Sequence, residues 1–231
     1  METIVFDLDD TLYDKLLPLK KTFESFDEFN SISFNLFYKH YEINSDIAFW
    51  NERMGIMSLH ESRLFRIHKT FKDLNLTTAE SKVEKFLNNY QIQQNYITLF
   101  PRIPSILEYL IKQQKKLVII TNGPTTHQMG KIKKLQLDRW FSPNQIIISE
   151  EVGIAKPDKK IFKLAEKRFY FNSQDAYFIG DSYTHDIVGA YNANWNTIWF
   201  NHRRNSCKLN FQVNKVVYSD IELEKYIYNK F

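Results

Sequence analysis

The sequence has a single cysteine, Cys207, and no long hydrophobic run. One cysteine excludes an internal disulfide framework and is typical of a protein in a reducing cytosol. No apolar stretch reaches the roughly 18 residues that a membrane-spanning helix needs, and the first residues lack the basic and apolar regions of a signal peptide. We therefore expect a cytoplasmic protein that does not enter a membrane.

The sequence also carries little excess charge, with a formal net charge of +4. Its basic clusters are small: Lys131, Lys133 and Lys134, and the pair Arg203 and Arg204. They lack the interleaved aromatic residues or the fold motif that nucleic-acid binding needs, so we expect solvated faces and no nucleic-acid partner. With 231 residues, the chain can bury the core of one large domain or two modest ones.

The sequence contains several short apolar runs, and each ends in small or polar residues. The first begins at Thr3, and others cover 116–121, 146–149, 176–180 and 197–200, with a short addition at 216–217. Helical patterns lie between them, at about 103–115, 125–136, 158–170 and 184–193. This alternation predicts an α/β fold, a doubly wound parallel sheet with helices on both faces.

Residues 16–98 differ, because they contain several helical patterns and no clear strand. Phe34, Phe37, Tyr38 and Tyr41 recur at helical spacing, and we interpret this stripe as packing core rather than a ligand-stacking surface. The predicted organisation is a core domain of residues 1–15 and 99–231, with residues 16–98 inserted as a helical cap domain over the carboxyl ends of the strands.

The first apolar run leads directly into Asp7 and Asp9, with a hydroxyl at Thr11. Open α/β sheets bind their ligands at the carboxyl ends of the strands, where these acids would lie. Two like charges so close repel each other unless a cation or a proton offsets them. The pattern therefore indicates a divalent metal, a phosphate or both, although acids here could also cap the following helix.

Two other predicted strand ends offer groups that bind anions. Thr121 and Asn122 end the second run, where a hydroxyl and backbone N–H groups can hold an anion or cap the next helix. Lys156, just before a proline, could supply a fixed positive charge, or could be a surface lysine.

A third strand end carries a second pair of acids, Asp181 and Asp186. Carboxylate oxygens are hard ligands suited to Mg²⁺. We interpret the neighbouring His185 as a bystander, because a Mg²⁺ site prefers oxygen to imidazole.

Taken in order, these motifs make residues 1–15 and about 100–205 resemble the haloacid dehalogenase-like hydrolase superfamily, and 16–98 resemble its helical type-1 cap. The resemblance implies the nucleophile at Asp7, the general acid and base at Asp9, phosphate binding at Thr121, charge neutralisation at Lys156, and the last acidic pair at Asp181 and Asp186. Residues 148–157 resemble a bacterial 5′-nucleotidase-like subgroup. Asp10 stands where many relatives have glycine, and we expect no disturbance of catalysis from it.

The implied activity is a Mg²⁺-dependent phosphatase that forms an aspartyl-phosphate. Asp7, the backbone carbonyl of Asp9 and Asp181 would hold Mg²⁺. The phosphate oxygens would be held by Lys156, Thr121 and the N–H of Asn122, while Asp186 would orient Lys156 or a metal-bound water. A free aspartate has a pKa near ~3.9, so we expect Asp7 to be ionised at neutral pH.

The sequence leaves the choice of substrate more open than the fold or the type of reaction. The resemblance favours a small phosphorylated metabolite, a nucleoside 5′-monophosphate, with sugar phosphates or phosphoglycolate as the alternative. A non-catalytic regulatory or binding protein is a further alternative, whereas dehalogenation is disfavoured because dehalogenases of this superfamily lack the second aspartate.

Trp50, Arg53 and Arg63 are candidates to contact the base or sugar, although each could instead pack or lie on the surface. The oligomeric state, monomer or homodimer, stays open.

Overall fold

The computed structural model describes residues 1–76, 79–206 and 213–231, without the side chain of Arg53. Cys207 and the Arg53 side chain therefore lie outside the described part of the chain. The structure forms two compact units, one of Met1–Lys15 with Ile97–Phe231 and one of Leu16–Tyr96. Among the described residues, every helix is too short or too polar to cross a membrane.

The unit Leu16–Tyr96 is helical. Its helices are α1 (Leu17–Glu24), α2 (Phe34–Arg53), α3 (Leu59–Asp73) and α4 (Glu80–Gln93). Serine side chains cap two of them, because Ser33 accepts a hydrogen bond from the backbone N–H of Leu36 and Ser58 forms a capping box with Glu61.

An aromatic core holds this helical unit together. Phe37, Phe71 and Phe86 are fully buried, with ring centroids 5.4–6.4 Å apart. Phe37 and Tyr41 bring the predicted stripe of α2 into that core. The interpretation of the stripe as packing core is therefore correct.

The other unit is built on a six-stranded, all-parallel sheet in the order β3-β2-β1-β4-β5-β6. The strands are β1 (Thr3–Phe6), β2 (Lys116–Thr121), β3 (Ile146–Ile148), β4 (Ala176–Gly180), β5 (Asn196–Phe200) and β6 (Lys215–Val217). Strands buried on both faces have continuous apolar sequences, as these do. The predicted fold class is confirmed.

Helices cover both faces of this sheet. They are α5 (Ile103–Lys112), α6 (Thr125–Lys134), α7 (Ser149–Val152), α8 (Lys159–Phe169), α9 (Gly189–Asn192) and α10 (Asp220–Lys230). Residues of α5, α6 and α10 share one apolar cluster with Ile4 and Phe6 of β1, whereas residues of α8 and α9 share the opposite cluster with Val5. The central strand β1 is therefore covered on both faces. Asp7, which follows it directly, is attached to a rigid strand.

Candidate active site

Asp7 follows β1 directly and is 6% exposed. Its backbone N–H donates to the carbonyl of Ile179 in β4 at 2.9 Å, which continues the strand pairing by one residue. The carboxylate accepts hydrogen bonds from Lys156 Nζ at 2.6 Å on Oδ1 and from Thr11 Oγ1 at 3.3 Å on Oδ2. A buried carboxylate contacted on both oxygens is held in one orientation.

Lys156 is a buried cation and not a surface lysine. Only 4% of the residue is exposed, and its Nζ lies 2.6 Å from both Asp7 Oδ1 and Asp186 Oδ1. Burial disfavours the ammonium, but the charges of Asp186 and Asp7 outweigh it and raise the pKa of Lys156 above its usual value. Lys156 is therefore an ammonium ion at neutral pH.

The side chain of Asn122 fixes the backbone of Lys156. Asn122 Nδ2 donates to the carbonyl of Lys156 and Asn122 Oδ1 accepts from its N–H, both at 2.9 Å. The helix that we expected near 158 begins one residue later, at Lys159, because Asp158 is its N-cap and accepts from the N–H of Lys160. Thr121, the last residue of β2, is 1% exposed beside this clamp.

Asp186 holds Lys156 from a π-helical turn. The helix expected at 184–193 instead consists of this turn, Tyr183–Val188, followed by α9. Asp186 Oδ1 accepts from Lys156, and Oδ2 accepts from the N–H of Ser182 at 3.0 Å. Both oxygens are thus engaged, which supports the expected role of Asp186 in orienting Lys156.

Gly180, at the end of β4, makes room for Asp186. A Cβ at position 180 would lie 2.4 Å from Asp186 Oδ2, so Gly180→Ala should displace that carboxylate and, with it, Lys156. We expect a loss of stability of about 1–3 kcal/mol, as overpacking causes, together with reduced turnover. Chemical denaturation and a phosphatase assay check both effects.

Gly130→Ala is the matched control for that variant. A Cβ at Gly130 meets nothing within 4 Å, and the residue lies inside α6. Alanine there should add about 0.5–1 kcal/mol of stability with unchanged activity. If Gly180→Ala behaved like this control, the proposed crowding of Asp186 would be wrong.

Three carboxylates form a cluster that fits a divalent cation. Ligand oxygens of Asp7, Asp181 and Asp186 all lie within 4.8 Å of one another. When all three are ionised they carry more negative charge than Lys156 balances, and oxygen-only donors are the set that Mg²⁺ prefers. Asp7, Asp181 and Asp186 could therefore hold Mg²⁺.

The pKa values of this cluster depart from the expectation for a free aspartate. Burial raises the pKa of Asp7 to about 7, against the opposing charge of Lys156. Burial also raises the pKa of Asp181 well above its usual range, only partly offset by Lys15. The expectation that Asp7 is fully ionised at neutral pH is therefore wrong for the protein without a cation, because its buried environment penalises the charge.

Asp9 faces different neighbours. Its carboxylate is 25% exposed and accepts from Lys131 Nζ at 2.6 and 2.8 Å, from Gln128 Nε2 at 2.9 Å, and from the Tyr13 hydroxyl. Burial alone would raise the pKa of Asp9, but Lys131 and the hydrogen bonds outweigh it and hold that pKa well below its usual range. Asp9 is therefore a carboxylate in the structure described.

The expectation that the basic clusters are solvated is wrong for Lys131. Its side chain is 14% exposed because it pairs with Asp9, whereas Lys133 and Lys134 are exposed as expected. Neither Lys131 nor Gln128 was predicted as a site residue. Their spacing of three on the helix that follows Thr121 was the available signal, because such residues share one helix face.

The same expectation is wrong for Arg203 but holds for Arg204, which is exposed. Arg203 Nε and Nη2 donate to the two oxygens of Asp10 at 2.5 Å, and Nη2 also donates to Asp14 at 2.5 Å. Asp10 is 1% exposed and has a φ of 64°, a left-handed conformation that aspartate tolerates better than most residues. Asp10 thus joins the segment after β1 to the segment after β5.

The predicted specificity residues lie in the helical unit. Trp50 on α2 is 61% exposed and contacts the ring of Phe49, and Arg63 on α3 is partly buried. The side chain of Arg53 is outside the described part of the structure. Their role in substrate choice stays a prediction.

Comparisons with known proteins find similarity to hydrolases and phosphatases. A family model described as haloacid dehalogenase-like hydrolase matches residues 1–194. The glyceraldehyde 3-phosphate phosphatase of Pyrococcus abyssi is 32% identical over 205 residues, which cover 87% of this chain and 81% of that protein. The pyrimidine 5′-nucleotidase YjjG of Escherichia coli is 30% identical over 203 residues, covering 86% and 85% respectively. The magnesium-bound structure of YfnB from Bacillus subtilis superposes with a TM-score of 0.70 at 24% identity and covers 98% of both chains.

Proposed function

The chain belongs to the haloacid dehalogenase-like hydrolases, and from this membership we propose that it is a Mg²⁺-dependent phosphomonoesterase that works through an aspartyl-phosphate on Asp7. The observation that carries the proposal is the buried group in which Lys156 joins Asp7 to Asp186, within reach of Asp181. A nucleophilic carboxylate, a fixed cation and an oxygen cluster that can hold a metal are the parts that phosphoryl transfer requires.

In the first half-reaction, a carboxylate oxygen of Asp7 attacks phosphorus and the bond from phosphorus to the leaving oxygen breaks. Lys156, the Thr121 hydroxyl and the N–H of Asn122 hold the other phosphate oxygens, whose charge must be stabilised in a loose transition state. Asp9 gives its proton to the leaving oxygen.

Asp7 and Asp181 would hold Mg²⁺, together with the backbone carbonyl of Asp9. Asp186 would lie beside them in the same acidic cluster and orient Lys156. When bound, Mg²⁺ supplies positive charge that offsets the repulsion between the Asp7 carboxylate and the phosphate. With that charge beside it, the Asp7 carboxyl group would have a pKa below about 7 and would stay ionised as the nucleophile.

In the second half-reaction, Asp9 takes a proton from a water that attacks phosphorus, and the bond from phosphorus to Asp7 breaks. The ionised Asp9 held by Lys131 is the form that this step needs. The first step needs the protonated form. A phosphate dianion bound beside Asp9 favours that protonation, because like charges disfavour the ionised form.

We propose a nucleoside 5′-monophosphate as the substrate, with a sugar phosphate as the alternative. A pyrimidine 5′-nucleotidase and a glyceraldehyde 3-phosphate phosphatase match the chain at similar identity, which supports a small phosphorylated metabolite and leaves both classes open. Trp50 and Arg63 are the described residues that we would vary first to change the preference.

The test is phosphate release by the full chain from p-nitrophenyl phosphate, uridine 5′-monophosphate and glyceraldehyde 3-phosphate. We expect release that depends on Mg²⁺ and stops when EDTA is added. The ratio of kcat/KM for the two metabolites assigns the substrate class. A folded protein that released no phosphate from any of the three would contradict the enzymatic proposal and favour a binding or regulatory role.

A further inference from the structure

We propose that Lys131 and Gln128 are positioning residues that hold the Asp9 carboxylate in place against the leaving oxygen of the substrate. This inference rests on the proposed function, in which Asp9 serves as the general acid and base. It adds two residues of α6 to the site, and neither belongs to the motifs on which the proposed mechanism was built.

The first observation is how completely α6 engages Asp9. Lys131 Nζ contacts both carboxylate oxygens, at 2.6 and 2.8 Å, and Gln128 Nε2 contacts Oδ2 at 2.9 Å. A carboxylate with donors on both oxygens loses its freedom to rotate about the bond that carries it. Displacement of a catalytic group by about 1 Å can cost roughly 100-fold in rate, so this restraint matters for proton transfer.

The second observation is that Gln128 joins the acid to the phosphate site. Gln128 is 1% exposed, and its Nε2 donates to Thr121 Oγ1 at 2.5 Å as well as to Asp9. Its Oε1 accepts from Lys131 Nζ at 2.7 Å. A neutral amide has two N–H donors and one carbonyl, and all three are used here. One buried side chain thus sets the separation between the group that binds phosphate and the group that protonates the leaving oxygen.

The arrangement predicts an effect that depends on the leaving group. An alkoxide needs a proton as it departs, whereas p-nitrophenolate leaves as a stable anion and gains little from an acid. The value of kcat/KM reports phosphoenzyme formation, the step that releases the leaving group. A misplaced Asp9 should therefore lower kcat/KM for alkyl monoesters much more than for p-nitrophenyl phosphate, whereas a loosened fold would lower both alike.

The experiment measures kcat/KM for uridine 5′-monophosphate, glyceraldehyde 3-phosphate and p-nitrophenyl phosphate with saturating Mg²⁺. Lys131→Met keeps an unbranched side chain that is one atom shorter and removes the donors, and Lys131→Arg keeps a cation. Lys133→Met makes the same change at an exposed position of the same helix. Gln128→Leu is the second test variant, and thermal unfolding establishes that each protein is folded.

Loss of the Lys131 charge by itself favours the protonated Asp9 that this step needs, so a fall in kcat/KM reports displacement of the carboxyl group. For Lys131→Met, we expect kcat/KM on the better alkyl ester to fall by roughly 10–100-fold, a part of what a general acid contributes, and by less than about threefold on p-nitrophenyl phosphate. Lys131→Arg should recover most of the loss, and Lys133→Met should match wild type. Gln128→Leu should add to this selective loss a smaller loss of kcat/KM that is the same for all three substrates, because Thr121 also loses a partner. If Lys131→Met does not fold, the presence or absence of a selective loss in Gln128→Leu tests the positioning role.

Equal losses on all three substrates in the folded variants, or no loss, would overturn the positioning role while leaving the phosphatase proposal intact. A wild-type protein without phosphatase activity would overturn both.

Discussion

The Asp7→Asn variant should release no detectable phosphate, a loss of roughly 10⁴-fold or more, as removal of a covalent nucleophile produces. Asparagine has nearly the same shape as aspartate and can still accept from Lys156, so the fold should persist. The amide cannot form the acyl-phosphate bond. The measurement is turnover of p-nitrophenyl phosphate at saturating Mg²⁺, and retained turnover near that of wild type would exclude the covalent mechanism.

The stability of Asp7→Asn should depend on pH in a way that checks the environment of Asp7. The pKa of Asp7 rises from 3.8 to about 7 on folding, so between these values the folded wild type holds more protons than the unfolded chain. Without metal, this group therefore lowers the free energy of unfolding as pH rises from about 4 to about 7. Asparagine cannot ionise, so the stability of the variant relative to wild type should be greater at pH 8 than at pH 5, in denaturation experiments with EDTA.

An unchanged difference between pH 5 and pH 8 would show that Asp7 does not titrate in that interval. Added Mg²⁺ provides a further check, because it should stabilise wild type at pH 8 more than Asp7→Asn. Binding to the folded state raises stability by mass action, and the variant has lost one charged ligand.

Lys156→Met is expected to have the largest effect on stability. Lys156 is buried between the carboxylates of Asp7 and Asp186, and removal of one partner from such a group costs about 3–5 kcal/mol because buried charges are left uncompensated. Turnover should fall by about 10²–10³-fold, since the phosphate also loses a fixed cation. Denaturation curves and kcat measure the two effects, and Mg²⁺ should restore part of the stability.

Lys20→Met is the control for that substitution. Lys20 pairs with Glu24 at 3.8 Å, but both side chains are more than half exposed, and such pairs contribute little. The control should be within about 0.5 kcal/mol of wild type and fully active. A Lys156→Met variant as stable as this control would show that the buried ion group is not required by the fold.

The sheet could be predicted from the sequence because its strands are short and apolar on both faces. The second and fourth strands have the expected bounds, Lys116–Thr121 and Ala176–Gly180. The turn after β4 could not be predicted in the same way. Residues 184–193 have a helical pattern, but the N–H of Ile187 donates to the carbonyl of Ser182, five residues earlier, at 3.2 Å, and the first turn is a π-helix, Tyr183–Val188.

Some residues of the candidate site could be predicted from the sequence and others could not. Acids and hydroxyls at strand ends could be placed together, because parallel strands bring their carboxyl ends to one edge. Lys156 was expected at such an end as well, but it lies beyond α7 in the connection from β3 to α8. The partners of Asp9 and Asp10 could not be placed, because Lys131 and Arg203 lie 122 and 193 residues further along the chain. A basic residue whose partner is so far away in the sequence has the same kind of neighbouring residues as a basic residue that is exposed to solvent. The raised pKa of Asp7 likewise depends on burial, which no local motif reports.

Covalent catalysis by Asp7 can be tested by a search for the phosphoenzyme. The full chain is mixed with p-nitrophenyl phosphate and Mg²⁺, quenched in acid within one turnover, digested and analysed by mass spectrometry, with Asp7→Asn in parallel. We expect one added phosphoryl group on the peptide that contains Asp7 in wild type, and none on that peptide in the variant. Phosphate release without any phosphorylated peptide, or phosphorylation at another residue that persists in Asp7→Asn, would contradict covalent catalysis by Asp7.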